Sequence, residues 1–184
     1  MSSVGRPNEA VAAMSASETA FDIEAVFRAH YGRVARISGR VVRDPARAEE
    51  IAVEVFLKLW RRQSAQGEHL EAWPYRVAVR SGLDELRRQT RRARYEALVG
   101  WALARTKPAT PDEVHCANVE QDQVRRVLSV LSPRQAEFLL LRSHGFSYVE
   151  VATALKVRPR SIGTLLSRAQ QAFRKEYIKR YGQE

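Results

Sequence analysis

The chain has 184 residues, enough for one domain of ordinary size or for two small ones. It carries 31 Lys and Arg against 21 Asp and Glu, a formal net charge of +10, and its hydrophobic fraction of 45% excludes wholesale disorder. No stretch approaches the roughly 20 apolar residues needed to cross a bilayer. The start of the sequence lacks a secretory leader pattern, and a single Cys excludes a disulfide framework and a cysteine-based zinc site. We therefore expect a cytoplasmic protein with a strongly basic surface.

The positive charge is concentrated in two blocks. Residues 21–95 hold 16 basic and 10 acidic side chains, and residues 120–184 hold 12 and 6, so each block has a net charge of +6. The segments 1–20 and 96–119 are each net −1. This distribution favours two polyanion-binding modules on one tether, with two merely solvated basic domains as the alternative.

The first predicted helices follow a tail without periodicity. Residues 1–19 predict a disordered segment. From Phe21 to Val41, apolar residues recur every three or four positions, which predicts a helix. Asp44 then fits an N-cap and Pro45 the first position of a second helix.

A polar loop and a basic helix complete the first block. The second helix is predicted to end near Trp60, and residues 61–71 read as a loop. A third helix begins near Trp73, since Pro74 is tolerated in a first turn, and its far end is rich in Arg. Residues 95–118 then predict a flexible linker, within which 98–103 could form a short apolar helix. The predicted domains are therefore 20–94 and 119–184.

The second block is densely punctuated by helix signals. Ser132 with Gln135, and Ser147 with Glu150, are two predicted capping boxes, and Gly145 is a natural stop between them. A tight turn at 156–158 and Pro159 then precede a longer basic helix, which makes a helix-turn-helix arrangement. No strand pattern appears, so the predicted fold class is all-α with two small helical domains.

These stretches resemble a known family. The carrying segments are DPARAEEIAVEVFLKLW (44–60), EAWPYRVAVRSGLDELRR (71–88), LSPRQAEFLLLRSHGFSYVEVATALKV (131–157) and SRAQQAF (167–173). Together they resemble an extracytoplasmic-function sigma factor of the sigma-70 family, with region 2 in residues 21–94 and region 4 in residues 120–178. The resemblance implies a non-enzymatic subunit that binds RNA polymerase core and promoter DNA and is often held by an anti-sigma factor.

The resemblance also assigns site residues in region 2. Its polymerase-docking surface would lie on the second helix, at Glu49, Glu50, Glu54 and Lys58; a solvated helix face is the alternative. The −10 element would be opened by the loop and the basic helix after it. The residues implied there are Arg61, Gln63, Ser64, His69, Trp73, Arg76, Arg80, Arg87 and Arg88.

In region 4, the recognition helix would enter the major groove of the −35 element. The residues implied are Arg158, Arg160, Ser161, Thr164 and Arg168, and Arg suits bidentate contact with guanine. Gly163 and Leu165 stand where Lys and Arg are common in the family, which predicts fewer phosphate and base contacts. In region 2, Val53, Pro74 and Ser81 also depart from the usual residues.

Catalysis finds little support in the sequence. The four His are scattered without metal-ligand spacing, and His115 beside Cys116 has no third ligand nearby. We expect no catalytic residue, no metal and no cofactor. Two other functions stay open: a stand-alone helix-turn-helix regulator, and a degenerate sigma-like protein that binds core or an anti-sigma factor but reads promoters poorly.

Overall fold

The computed structural model of the chain describes residues 21–62, 70–103 and 116–182. These residues form helices and contain no strand, which confirms the predicted all-α class. The predicted tail, most of the 61–71 loop and the middle of the predicted linker lie outside the described residues. The helices are α1 (Ile23–Val41), α2 (Pro45–Arg61), α3 (Trp73–Leu103), α4 (Cys116–Val130), α5 (Pro133–Ser143), α6 (Tyr148–Leu155) and α7 (Ile162–Tyr181).

Side-chain caps explain where the first two helices begin. The Asp22 carboxylate accepts hydrogen bonds from the backbone N–H groups of Glu24 and Ala25, at 3.0 Å each. The predicted cap Asp44 accepts in the same way from Ala46 and Arg47. Each carboxylate thus satisfies two of the amides that a helix start leaves unpaired.

The third helix is longer than the sequence predicted. It continues to Leu103, and α4 already begins at Cys116, so the predicted linker 95–118 is helical at both of its described ends. The helix was predicted to end earlier because few apolar residues continue its buried face after Leu86. Exposed residues such as Tyr95 and Leu98 instead continue the helix on its backbone hydrogen bonds.

Local signals place the helix-turn-helix as predicted. Ser132 and Ser147 both form capping boxes, with Gln135 and Glu150 respectively. Between α5 and α6, Gly145 has a φ of +82°, a conformation that side chains with a Cβ rarely adopt. Lys156 ends α6 in the left-handed region, with a φ of 52°.

Two helical units pack against each other along α3. Helices α1, α2 and α3 bury one set of apolar side chains, and α4 to α7 bury another. The two sets join into one continuous core, because α3 also contacts α4, α5 and α6. The side chains of α3 that face α4, α5 and α6 are therefore packed against the second unit rather than open to solvent.

Polar and aromatic contacts fasten this packing. Arg80 Nε donates to Oε1 of Glu137, at 2.5 Å, and the Glu137 side chain is 1% exposed. Arg87 donates to the backbone carbonyls of Ser129 and Leu131. At the other end of the interface, the rings of Tyr75 and Phe146 meet edge to face, with centroids 4.9 Å apart.

Candidate nucleic-acid interface

The predicted −35 residues share one exposed surface. Arg158, Arg160, Thr164 and Arg168 are exposed, and Ser161 is half-buried at the start of α7. Within the described part of the chain, the three arginines form no ion pair or hydrogen bond. Their guanidinium groups are therefore available to bases and phosphates.

The opposite face of α7 anchors this surface. Ile162, Leu166 and Ala169 are buried against α5 and α6. Leu165 is half-buried and packs on the same core, so a packing role accounts for the apolar residue at this position. Gly163 differs, because it is exposed and a Cβ built on it would meet no atom within 4 Å.

The predicted −10 residues are divided by the structure. Arg61 is exposed, whereas Gln63, Ser64 and His69 lie outside the described residues. Arg88 pairs with Glu85 at 2.7 Å. Burial, with the charge of Arg80 beside it, lowers the pKa of Arg76.

Two of these arginines face the second helical unit. Arg80 is paired with Glu137, and Arg87 with backbone carbonyls of the α4–α5 segment. The sequence predicted both as phosphate ligands. In this arrangement they hold the two units together, and DNA would have to compete for them.

Trp73, which the resemblance implies as a −10 residue, is buried in this conformation. Its side chain is 8% exposed and belongs to the core at the start of α3. Its neighbour Tyr75 is also buried, with its hydroxyl 2.6 Å from Nδ1 of His30. The sequence alone does not separate a packing aromatic from a stacking one, since both suit a helix start after a polar loop.

The predicted polymerase-docking residues lie on α2 around an ionic network. Glu49 is exposed, while Glu50 and Glu54 pair with Arg47 at 2.8 and 3.0 Å. Lys58 lies 3.6 Å from Glu54. The hydrogen bond to Glu50 leads the contacts that raise the pKa of Arg47, so these charges are partly neutralised within the helix.

The same helix also carries an exposed apolar stripe that was not predicted from the sequence. Val53, Leu57 and Trp60 are 44, 43 and 60% exposed, and their spacing places them on one side of α2. The buried face of α2 instead uses Ala48, Ile51, Ala52, Val55, Phe56 and Leu59. The apolar residues of α2 that lie outside this buried face are the signal by which the sequence could have revealed the stripe. Large exposed apolar side chains in a row are typical of a protein-binding surface.

Metal-ligand clusters and membrane-spanning helices also bear on function. No cluster of three His, Cys, Asp or Glu suited to a metal ion occurs there. No helix in those ranges is long and apolar enough to cross a membrane.

The chain matches two family models in order. The model described as Sigma-70 region 2 matches residues 26–92, and that of Sigma-70, region 4 matches residues 121–172. The first match contains α2, with its apolar stripe, and most of α3. The second contains the capped helices and the exposed face of α7 as far as residue 172.

Similar proteins carry the same family description. The ECF RNA polymerase sigma factor SigK of Mycobacterium tuberculosis H37Rv is 32% identical over 150 residues, which cover 77% of this chain and 76% of SigK. SigL of M. tuberculosis Erdman is 29% identical over 171 residues, covering 89% of this chain and 91% of SigL. SigE of Mycolicibacterium smegmatis is 26% identical, and that match spans only 62% of SigE.

One solved structure shows a weaker similarity to the chain. It is the sigma factor RpoE in complex with the anti-sigma factor NepR from Bartonella quintana, with a TM-score of 0.46 and 19% sequence identity over 87% of this chain and 98% of that one. The family assignment rests on the sequence matches, which cover more than half of the chain in the expected order. The chain belongs to the sigma-70 family, in its extracytoplasmic-function group.

Proposed function

We propose that this chain is a sigma factor that binds RNA polymerase core and directs promoter recognition and DNA melting. It acts in the cytoplasm, where the polymerase works, and contributes binding energy rather than catalysis. The observation that carries the proposal is the exposed arginine face of the α6–α7 helix-turn-helix, joined in one chain to a region 2 match whose helix α2 has an exposed apolar stripe.

The proposed polymerase contact is α2. Val53, Leu57 and Trp60 offer the apolar area that a protein interface buries, and Glu49 and Glu50 lie on the exposed surface beside them. An apolar centre with a charged rim is the usual anatomy of such an interface. Because Arg47 already holds Glu50 and Glu54, the acidic side chains reach a partner in a fixed geometry.

The proposed −35 contact is the start of α7. Arg158 and Arg160 lie in the turn and 3-10 segment, and Thr164 and Arg168 follow on the exposed side of the helix. This is where a helix-turn-helix places its base-reading side chains. Gly163 leaves an open position in that row, so binding to the −35 element relies on fewer cations than the family's usual helix supplies.

The proposed −10 contact involves the basic face of α3 together with the loop before it. Arg88 and Arg91 are exposed on this helix, whereas Arg80 and Arg87 are engaged by the second unit. Phosphate contacts of this kind position the strand without reading its sequence. Full engagement of the −10 element therefore requires α5 to move away from α3, and binding to the polymerase would supply the energy for that separation.

An anti-sigma factor is the remaining proposed partner. Such a partner would cover the faces that bind the polymerase and DNA, which are exposed at Leu57 and Arg160.

A gel-shift comparison with core polymerase and with free promoter DNA tests the proposal. A sigma factor forms a complex with core, and promoter DNA is shifted specifically only when core is present. A stand-alone regulator would shift specific DNA without core, and a degenerate sigma-like protein would bind core without adding promoter specificity. Either of those two results contradicts the proposal.

A further inference from the structure

A cleft lies where α1 of the first unit meets the turn between α5 and α6 of the second. Its volume is about 390 Å³, and it is lined by Arg33, Arg36, Arg40, Ser143, His144 and Gly145. Positions 33, 36 and 40 recur at helical spacing, so the three arginines share one face of α1. We call this site the arginine cleft. It is separate from the predicted promoter-binding residues of α3 and α7.

The positive charge of the arginine cleft is poorly compensated. Within the described residues, only Arg33 has a carboxylate near it, that of Glu150 at 3.8 Å. The Glu150 oxygen near Arg33 is Oε1, while the other oxygen, Oε2, accepts a hydrogen bond from the backbone N–H of Ser147 at 2.6 Å. Arg36 donates only to the carbonyl of Gly32, and the guanidinium of Arg40 has no partner in the described part of the chain.

Parts of the arginine cleft are held in place before any ligand arrives. The Arg33 guanidinium lies over the ring of Phe146, 3.8 Å from its centroid, and also near Tyr75. The backbone carbonyl of Arg40 accepts a hydrogen bond from Arg125 of the second unit at 3.4 Å. The stacked guanidinium of Arg33 therefore loses little side-chain entropy when it binds an anion, whereas the bond from Arg125 fixes only the backbone at Arg40.

A buried polar atom of His144, one of the residues that line the cleft, also lacks a partner. Nε2 of His144 is buried and makes no hydrogen bond. An unsatisfied buried group of this kind costs about 1–3 kcal/mol, so native structures usually supply a partner for it. Burial, with the charges of Arg40, Arg33 and Arg36, lowers the pKa of His144 to about 4, so the ring is neutral near pH 7. A neutral ring that carries its proton on Nε2 can donate to an oxyanion.

We propose that the arginine cleft binds phosphate oxyanions, with Arg36 and Arg40 as the main ligands and His144 as a hydrogen-bond donor. Guanidinium groups match phosphate geometry, and three of them on one face exceed what a single phosphate requires. The volume of the cleft is sufficient for a di- or triphosphate group. The phosphates belong either to a free polyphosphate or to a DNA backbone. In both cases the anion bridges α1 and the α5–α6 turn, and so links the two helical units.

Isothermal titration of the full chain with inorganic triphosphate, in a phosphate-free buffer, tests the site. The arginine cleft predicts saturable binding of one anion per chain and at least a tenfold loss of affinity in the double variant Arg36→Gln with Arg40→Gln. The matched control is Arg28→Gln with Arg92→Gln, which removes the same charge from exposed i,i+4 pairs on α1 and α3. The control should keep its affinity within about twofold, since surface pairs of this kind contribute little. Absence of saturable binding in the wild type, or an equal loss in the control, would overturn the proposal.

Circular dichroism of each variant shows whether it is folded. If the double variant fails to fold, Arg40→Gln alone takes its place, because its guanidinium has no partner in the described residues; it should weaken binding about threefold. An unchanged affinity in that folded variant would also contradict the site.

Competition then identifies the source of the phosphate. A duplex of non-promoter sequence that displaces triphosphate, and whose own affinity falls in the double variant, assigns the cleft to the DNA backbone. A duplex that binds without displacing triphosphate assigns it to a free polyphosphate. Both assignments presuppose that triphosphate binds in the arginine cleft, and neither depends on the chain acting as a sigma factor.

Discussion

The ion pair between Arg80 and Glu137 offers a direct test of the packing between the two helical units. The Glu137 side chain is 1% exposed, and its Oε1 accepts the hydrogen bond from Arg80. Its Oε2 has only Arg134, at 3.8 Å, and makes no hydrogen bond. The substitution Arg80→Met keeps the length of the side chain but leaves this buried carboxylate without a hydrogen-bonded cation, with only Arg134 at 3.8 Å and the charge of Arg76 nearby.

The expected cost lies between two limits. Removing one partner of a fully buried pair costs about 3–5 kcal/mol, whereas an exposed pair is worth about 1 kcal/mol or less. The Arg80 side chain is 55% exposed, and Arg134 stays in place, so the solvent screens part of the loss. We expect Arg80→Met to lower the free energy of unfolding by about 1.5–2.5 kcal/mol.

Urea denaturation followed by circular dichroism measures this change. Arg91→Met on the same helix is the control, because Arg91 is exposed and forms no ion pair within the described residues; it should shift stability by less than about 0.5 kcal/mol. Adding Glu137→Gln to Arg80→Met should recover part of the loss, since no buried charge then lacks its partner. If Arg80→Met and Arg91→Met change the free energy of unfolding equally, the Arg80–Glu137 pair does not form in solution and the two units do not pack along α3 as described.

Three further changes have defined outcomes. The pKa of His144 is lowered from 6.5 to about 4 in the fold, so the unfolded chain binds more protons between those values. His144 therefore leaves the free energy of unfolding unchanged above pH 6.5 and lowers it as the pH drops toward 4, by about 1–2 kcal/mol after allowing for the half-exposed ring. In urea titrations, the stability of His144→Gln should depend less on pH in this range than that of the wild type. Leu57→Glu should weaken binding to core polymerase at least tenfold in a fluorescence titration, while Leu98→Glu, equally placed on an exposed helix face, should not; equal effects would remove α2 as the docking helix. Gly163→Lys should bind −35 DNA more tightly and steepen the salt dependence of log K by about 0.9. An unchanged slope would mean that this position does not face a phosphate. Leu165→Arg should instead lower the stability of the fold, because Leu165 packs on the core.

Local signals in the sequence were sufficient for most helix boundaries. Asp44, Ser132 and Ser147 each bond the first amides of a helix, and those bonds depend only on neighbours within three residues. Gly145 ends α5 for an equally local reason, its positive φ. The end of α3 was predicted poorly, because the helix continues past Gly100 to Leu103 and its exposed turns have a weak apolar pattern.

The interface between the two units had no local signal. Arg80 and Glu137 are 57 positions apart, and neither residue differs in type from an ordinary solvated charge. Sequence patterns distinguish inward from outward positions on one helix, but not which outward charges meet across helices. Arg76, Arg80, Arg87 and Arg88 were therefore all predicted as DNA ligands, although Arg80 and Arg87 hold the second unit in the structure.

In vitro transcription from a library of promoter sequences, with purified core polymerase and with or without this chain, tests the central claim most directly. We expect new transcripts with discrete start sites, preceded by paired upstream elements near −35 and −10. The same transcripts should weaken when Arg158 and Arg160 are both changed to Gln, because these cations lie in the proposed −35 contact. Core binding without any added transcript would contradict the promoter-reading function and leave the chain as a sigma-like interaction protein.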